Sequence, residues 1–324
     1  MRRFLLARAA QALAVIAIVA TFAFVLVHVA PGDPFSATLD DPTNTAEAHA
    51  VQMHRWGYDQ PLPAQYVKWL GNIARGDFGW SHSRNRRVSD VLIETVPRTL
   101  LLTGCGLIAG VLGGIALGTW QAARHGTRTE RATSALAIAT LSVPEFLVAL
   151  AALALPAARW HWFPVSGIVD PAMHDSMSAA GRGVDVLRHL ALPASTLALI
   201  TAAAVSRFHR AAMLAVLPEE YVRAARAKGA GEFTTVVSHA LRNALSPLIT
   251  IIGLLLPALF GGTVFIETIF SWPGVGRMMV EAVSGSDYPL VLAGVMVGCT
   301  LVALGSALAD VLAQFANPRV RIGA

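Results

Sequence analysis

Six stretches of about twenty mostly apolar residues, separated by polar connections, constrain this chain more than any other feature. A helix needs ~20 apolar residues to cross the hydrocarbon core of a bilayer, so each stretch is a candidate crossing. Composition agrees. Of 324 residues, 55% are hydrophobic and 14% charged, against about 25% charged in an ordinary soluble protein, and the mean hydropathy is +0.56. The expected fold is an all-α integral membrane protein with six transmembrane helices.

The blocks run approximately over Ala9–Val29, Arg98–Trp120, Ala132–Ala157, Leu190–Ala212, Ala244–Phe265 and Leu290–Phe315. The first block competes with a cleaved signal peptide. Its apolar run is longer than a signal core, and the small-residue site at His28-Val29-Ala30 would leave Pro31 directly after the cut, so a retained helix is favoured. Ala30-Pro31-Gly32-Asp33-Pro34 ends that helix, because two prolines and a glycine cannot continue it. The domain division expected is therefore residues 1–30 for the N-terminus and first crossing, 31–96 for a small extra-membrane cap, 97–315 for a five-helix core, and 316–324 for a tail. Within the cap, Gln65–Leu70 reads as a short amphipathic helix and Gly76–Gly79 as a turn. Trp160, Trp162 and Phe163, in a polar loop over 158–187, suit a membrane interface.

Charge sets the orientation. A net charge of +5 and a pI near 9.8 would suit nucleic acid, but the basic residues sit at block ends rather than along one strip, which points to topology instead. Arg2, Arg3, Arg8, Arg124, Arg128, Arg131, Arg207, Arg210, Arg223, Arg226, Lys228, Arg242, Arg319 and Arg321 all fall on the side of the termini. The short loop 122–132 weighs most, since long loops obey the positive-inside rule poorly. Both termini and the segment 213–243 are expected in the cytoplasm, and the cap outside it. Cys105 and Cys299 lie within apolar blocks and read as small packing residues, with no disulfide or zinc spacing.

The segment 213–243 is the most distinctive. Pro218-Glu219-Glu220 is a good helix start, since proline suits the first turn and acids complement the N-terminal dipole. Tyr221, Ala224, Ala225 and Lys228 recur at i, i+3, i+4 and i+7 and are expected on one face, with Gly229 and Gly231 ending the helix. A second short helix near Glu232–Leu241 offers Phe233, Val236, Val237 and Ala240. Two readings are equally open from these residues: a docking helix for a soluble partner, or a surface loop held to the membrane by its arginines.

A resemblance separates them. Tyr221-Val222-Arg223-Ala224-Ala225-Arg226-Ala227-Lys228-Gly229 and His239-Ala240-Leu241-Arg242-Asn243-Ala244-Leu245-Ser246-Pro247 resemble the EAA loop of ABC-importer permeases in the dipeptide/oligopeptide (and nickel) branch. Ala224, Ala225, Gly229 and Leu241 match the general EAA spacing; Arg223, His239 and Arg242 stand where the general pattern has Glu, Ile and Pro. The likeness extends through Ala30–Pro34, Leu141–Pro144, Pro164–Gly167, Arg188–Pro193, Trp272–Arg277, Asp287–Pro289 and Asn317–Arg319, covering nearly the whole chain in order. It implies a permease subunit that pairs with a sister permease, docks two cytoplasmic ATPase subunits and receives solute from an extracytoplasmic binding protein in the bacterial inner membrane. The implied docking residues are Glu220, Tyr221, Arg223, Ala224, Ala225, Arg226, Lys228 and Gly229. ATP and Mg belong to the ATPases: this chain has no G-x-x-x-x-G-K-[ST] loop, and neither of its two lysines, Lys68 and Lys228, sits in one. No cofactor, metal or nucleic acid is expected on this chain, and lipid is its solvent.

Pathway candidates are fewer. Glu145 falls after Pro144 in the third block, where a carboxylate costs on the order of 2.5–3.5 kcal/mol on insertion scales and should face the bundle interior or water. A pathway role competes there with a carboxylate bonded to a neighbouring helix or protonated. Pro257 would kink the fifth block. Glu267, Trp272 and Arg277 follow it, as an external lid by resemblance or as a loop with an interfacial tryptophan. Asp310 is expected to pair with Arg207 or Arg210. The leading function is import of short peptides; nickel or a glutathione-like solute would use the same architecture. A membrane-embedded enzyme would need a nucleophile–base or metal pair, and none is found; a passive scaffold leaves the prolines without purpose.

Overall fold

The computed structural model describes residues 2–29, 60–245, 247–248 and 263–316, with the backbone alone at 2–6, 27–28, 310 and 312–316. It is helical nearly throughout. In chain order come α1 (Arg2–Val29), α2 (Leu62–Ala74), a minimal hairpin of β1 (Trp80–Ser81) and β2 (Arg86–Arg87), α3 (Val88–Ala123), α4 (Arg128–Ser142) and α5 (Glu145–Ala152). Then follow α6 (Ala179–Val216), α7 (Glu220–Ala227), α8 (Glu232–Thr234), α9 (Val275–Ser284) and α10 (Tyr288–Ala316). Two compact units divide the chain, Met1–Arg98 with Gly274–Leu301 and Thr99–Pro273 with Val302–Ala324.

Among the described residues, four helices are long and apolar enough to cross a membrane: Ala7–Leu26 within α1, Val88–Ala123, Ala179–Val216 and Tyr288–Ala309. One further helix pair is apolar and long enough only when its two halves are taken together. α4 and the helix continuing from Glu145 to Arg159 meet at a bend of 105°, at Val143-Pro144, where Val143 is extended and Pro144 caps α5. Proline disfavours helical backbone in the residue before it, which accounts for the extended Val143 at the break. Past α5 the chain widens to a π-helix over Leu153–Arg159, which contains Pro156.

Glycine decides how α3 meets α6. Along α3, Gly106, Gly110, Gly114 and Gly118 face α6 so closely that an added Cβ would lie 2.6 Å from Leu197, 2.5 Å from Thr201, 2.6 Å from Val205 and 2.7 Å from the Ser206 carbonyl oxygen. Small residues at every fourth position let membrane helices approach backbone to backbone. Successive glycines of α3 meet successively later residues of α6, four apart over the first two steps, so the two helices run in the same sense. The chain between two parallel crossings must return across the bilayer once, and the bent α4–α5 pair is that return. The fifth block expected, 244–265, lies mostly outside the described residues, and with it Pro257.

Element ends differ from the apolar blocks in a consistent way. α3 begins at Val88 rather than Arg98 and carries Pro97 inside it; α6 begins at Ala179 rather than Leu190 and carries Pro193. At ~1.5 Å per residue these helices of 36 and 38 residues outrun a ~30 Å hydrocarbon layer, so their ends must project beyond it. The last residues assigned to the cap, 88–96, are thus helix.

In the first unit, α2 starts behind Pro61 and packs on α1 through Tyr66, whose hydroxyl lies 2.6 Å from Thr21 Oγ1, and through Phe24 against Tyr66 and Trp69. The turn expected at Gly76–Gly79 forms, with both glycines at positive φ and Gly79 N–H donating to Asp77 Oδ1 at 3.0 Å. The hairpin is tied down by Asp287, which is fully buried. Its Oδ2 accepts from Ser81 Oγ at 2.6 Å, Ser83 Oγ at 2.7 Å and Ser83 N–H at 3.0 Å. Val88, Val91, Met278, Ala282, Leu290 and Ala293 form the apolar core beneath.

Candidate functional site

Segment 213–243, expected to dock a soluble partner, is held by a small core of its own. Ala122, Met213, Val222, Val236, Ala240 and Ala244 bury one another, which seats α7 and α8 against the ends of α3 and α6. Within α7, Val222 and Ala225 turn inward, while Glu220, Tyr221, Arg223, Ala224, Arg226, Lys228 and Gly229 are exposed. The face expected to unite Tyr221, Ala224, Ala225 and Lys228 is therefore split. Ala225 belongs to the packed side, because Val222 supplies a stronger apolar anchor one turn before it.

α7 ends in a Schellman motif. Gly229 N–H donates to the Arg226 carbonyl at 3.0 Å and Ala230 N–H to the Ala225 carbonyl at 3.2 Å, with Gly229 at φ +87°. Nothing lies within 4 Å of a Cβ added there. The demand for glycine is conformational rather than steric. Beyond the turn, Arg226 grips Glu232 with two hydrogen bonds of 3.2 and 2.9 Å, clipping α7 to α8. α8 then widens into a π-helix over Thr235–Ala240. Phe233, at its start, is 80% exposed, with Tyr221 and Val237 also exposed. A phenyl ring left bare on a polar segment is an unsatisfied apolar surface, and Phe233 was not among the docking residues read from the sequence. The signal was its flanks: a large apolar residue between Glu232 and two threonines has no buried neighbour to pair with.

Glu130 anchors this end of the second unit. It stands three residues after the N-cap Thr127, whose Oγ1 accepts the Glu130 N–H at 3.2 Å. The buried carboxylate receives Arg210 at 2.8 Å and Ser134 Oγ at 3.0 Å. Arg210 thus pairs with Glu130, where the sequence suggested Asp310. The Asp310 side chain falls outside the described residues.

The pathway candidates are dispersed. Glu145 is the first residue of α5, at the 105° bend, and not mid-helix as the apolar block implied. One of its carboxyl oxygens is buried without a hydrogen-bond partner. Glu267 is fully buried and accepts from Thr99 Oγ1 at 2.7 Å. Trp272 is 0% exposed, in a core with Leu102, Leu190, Leu197, Ile266 and Phe270. That removes the reading of Trp272 as an interfacial tryptophan. Arg277 belongs to the other unit and forms an i, i+4 ion pair with Glu281 at 2.7 Å.

Comparison with known proteins matches this arrangement along its length. Residues 114–322 match the family described as binding-protein-dependent transport system inner membrane component, and residues 1–103 match the N-terminal part of such membrane components. A protein of Brucella ovis named as a peptide permease is 37% identical over 301 residues, covering 92% of each chain. The di/tripeptide transport system permease protein of Pseudomonas aeruginosa is 36% identical over 313 residues, with 92% of each covered. The oligopeptide transport system permease protein of Bacillus subtilis is 33% identical over 321 residues, with 99% of each covered. By these matches and by its membrane-crossing helices, the chain belongs to the family of binding-protein-dependent transport system inner membrane components, multi-pass transporter permeases rather than enzymes.

Proposed function

We propose that this chain is one permease subunit of an ATP-driven importer of short peptides. It forms half of the pathway beside a sister permease, with two ATPase subunits on the cytoplasmic face and a solute-binding protein on the other. The observation that carries the reading is the rigid, exposed segment 219–237: a helix capped at Gly229, clipped by Arg226–Glu232, and presenting Tyr221, Arg223, Ala224, Lys228 and Phe233 outward. The peptide cargo is supported by the names of the relatives, which are peptide permeases.

Both termini and this segment are assigned to the cytoplasm on the distribution of arginine. In this orientation the ATPases meet α7 and α8. The small side chain of Ala224 permits close approach, the ring of Phe233 offers an apolar anchor, and Arg223 and Lys228 suit an acidic rim. Glu145, at the break in the third crossing with an unpartnered oxygen, is assigned to the pathway, where an entering water file or a cargo amine would satisfy it. Glu267 and Trp272 brace the structure around that pathway rather than touching cargo.

The test is ATPase stimulation by peptide-loaded binding protein in vesicles that hold the complete importer. Phe233→Ala should abolish most of the stimulation while the chain still inserts and its helicity is unchanged. Full stimulation in Phe233→Ala together with Ala224→Asp would refute docking at this segment.

A further inference from the structure

The first unit holds a cavity with polar and aromatic walls. One face of α2 supplies Lys68, Trp69 and Asn72, the following turn supplies Asp77 and Phe78, and Phe24 of α1 closes the floor, with the first turn of α10 at the side. Its volume is about 110 Å³, several times what one water requires. Gln65 also lines it and donates to the Gln60 carbonyl at 2.8 Å, but three other polar groups keep unused capacity. Neither the Lys68 ammonium nor the Asn72 amide makes a hydrogen bond or ion pair among the described residues, and Asp77 uses one carboxylate oxygen on Gly79 N–H, leaving the other. A cation, an anion and an amide therefore share one cavity with three aromatic rings.

Position says what meets it. The apolar block that contains α1 runs to Val29, before Pro31-Gly32-Asp33, so Phe24 stands within ~8 Å of the depth at which hydrocarbon gives way to headgroups. Tryptophan is enriched at that depth, and lysine reaches toward it along its apolar stem. Beside the cavity, α1 exposes Phe22, Val25 and Leu26, a surface for acyl chains. A ligand matching all of this carries phosphate and ammonium on a short tether above two hydrocarbon tails. We propose that the cavity is a headgroup site for a phospholipid bearing a primary ammonium, the phosphoethanolamine class. Lys68 and Asn72 bind its phosphate, Asp77 accepts from its ammonium, and α1 supports its chains.

Each alternative headgroup fails on a named group. A choline headgroup has no N–H to donate to Asp77. A glycerol headgroup brings a net negative charge to Asp77 with nothing to neutralise it. A free zwitterion of the same chemistry would satisfy Lys68 and Asp77 but gain nothing from the exposed face of α1.

Native mass spectrometry of the detergent-purified complete importer tests this, using phosphatidylethanolamine, phosphatidylcholine and phosphatidylglycerol of matched chains, and glycerophosphoethanolamine as the free headgroup. The expected result is preferential retention of phosphatidylethanolamine, reduced several-fold in Lys68→Met. Asp77→Asn should erase the preference over phosphatidylcholine while retaining the phosphate contact. Arg75→Met, a cation at the end of the same helix that does not line the cavity, should change nothing. Equal retention of the three lipids would overturn the proposal. So would unchanged retention in Lys68→Met, an equal loss in Arg75→Met, or glycerophosphoethanolamine retained as well as the lipid.

Discussion

Between Ala224 and Ala225 helix α7 turns through about 100°, carrying one methyl group to the surface and the other into the packed side. The two positions separate docking from folding. Ala224→Asp is expected to change stability by no more than ~0.5 kcal/mol, as surface substitutions do, yet to remove most ATPase stimulation. Ala225→Asp buries a carboxylate among apolar neighbours and should cost more than ~2 kcal/mol, read as lower yield and a lower melting temperature before any assay of coupling. Equal melting temperatures for the two variants would contradict the burial of Ala225. Glu145 is a second such pair of readings. Glu145→Gln keeps size and most hydrogen bonding, so a pathway role predicts altered uptake with normal assembly, measured with cationic and anionic peptides in vesicles; identical uptake of both would make Glu145 structural. His82 gives a pH dependence. Burial lowers its pKa below the usual histidine value, against a smaller opposing pull from Asp287. The folded state thus favours neutral His82, and its contribution is present above about pH 6.5 and lost as pH falls through the lower folded value. The melting temperature should drop more between pH 7.5 and 5 in the wild type than in His82→Gln.

At the scale of elements, hydropathy made the crossings legible and hid their ends. α3 and α6 continue through Asp90, Glu94, Arg182 and Asp185, because a helix leaving the bilayer keeps its backbone hydrogen bonds whether its side chains meet lipid or water. A scale of side-chain transfer reports the lipid boundary, not the helix boundary. The break at Val143-Pro144 was visible as a proline, but its consequence, a bend of 105°, depended on what packs around it. The glycine ladder was the signal left unread: Gly106, Gly110, Gly114 and Gly118 stand at intervals of four in plain sight, yet only the partner helix shows that all four face one way. Gly110→Leu should drive its side chain into Thr201 and cost about 1–3 kcal/mol or more as overpacking does, whereas Gly113→Leu, where a Cβ would only touch Ala202 at 3.8 Å, should cost distinctly less. Thermal unfolding of the two purified variants separates them.

For the whole molecule, the family likeness and the helix capped at Gly229 were readable from motifs, since each motif is a local backbone shape tied to fixed residue types. The tie from Asp287 to Ser81 and Ser83 was not, because it joins positions far apart along the chain that no local pattern links. Orientation is the remaining claim at this scale. In a background with Cys105 and Cys299 replaced by alanine, a cysteine at Arg75 should react with an impermeant thiol reagent on intact cells, and one at Ala227 should react only after the membrane is opened. The reverse pattern would invert the whole arrangement.

The ladder between α3 and α6 also orders the protein's birth. During synthesis α3 enters the membrane with its four glycines bare, and their partners at Leu197, Thr201 and Val205 are not yet made. Because the two helices run in parallel, the intervening return crossing must be inserted before the seam can zip. A ribosome stalled before Val205 therefore leaves a stretch of uncovered backbone inside lipid, the surface that a membrane quality-control protease or chaperone would find first.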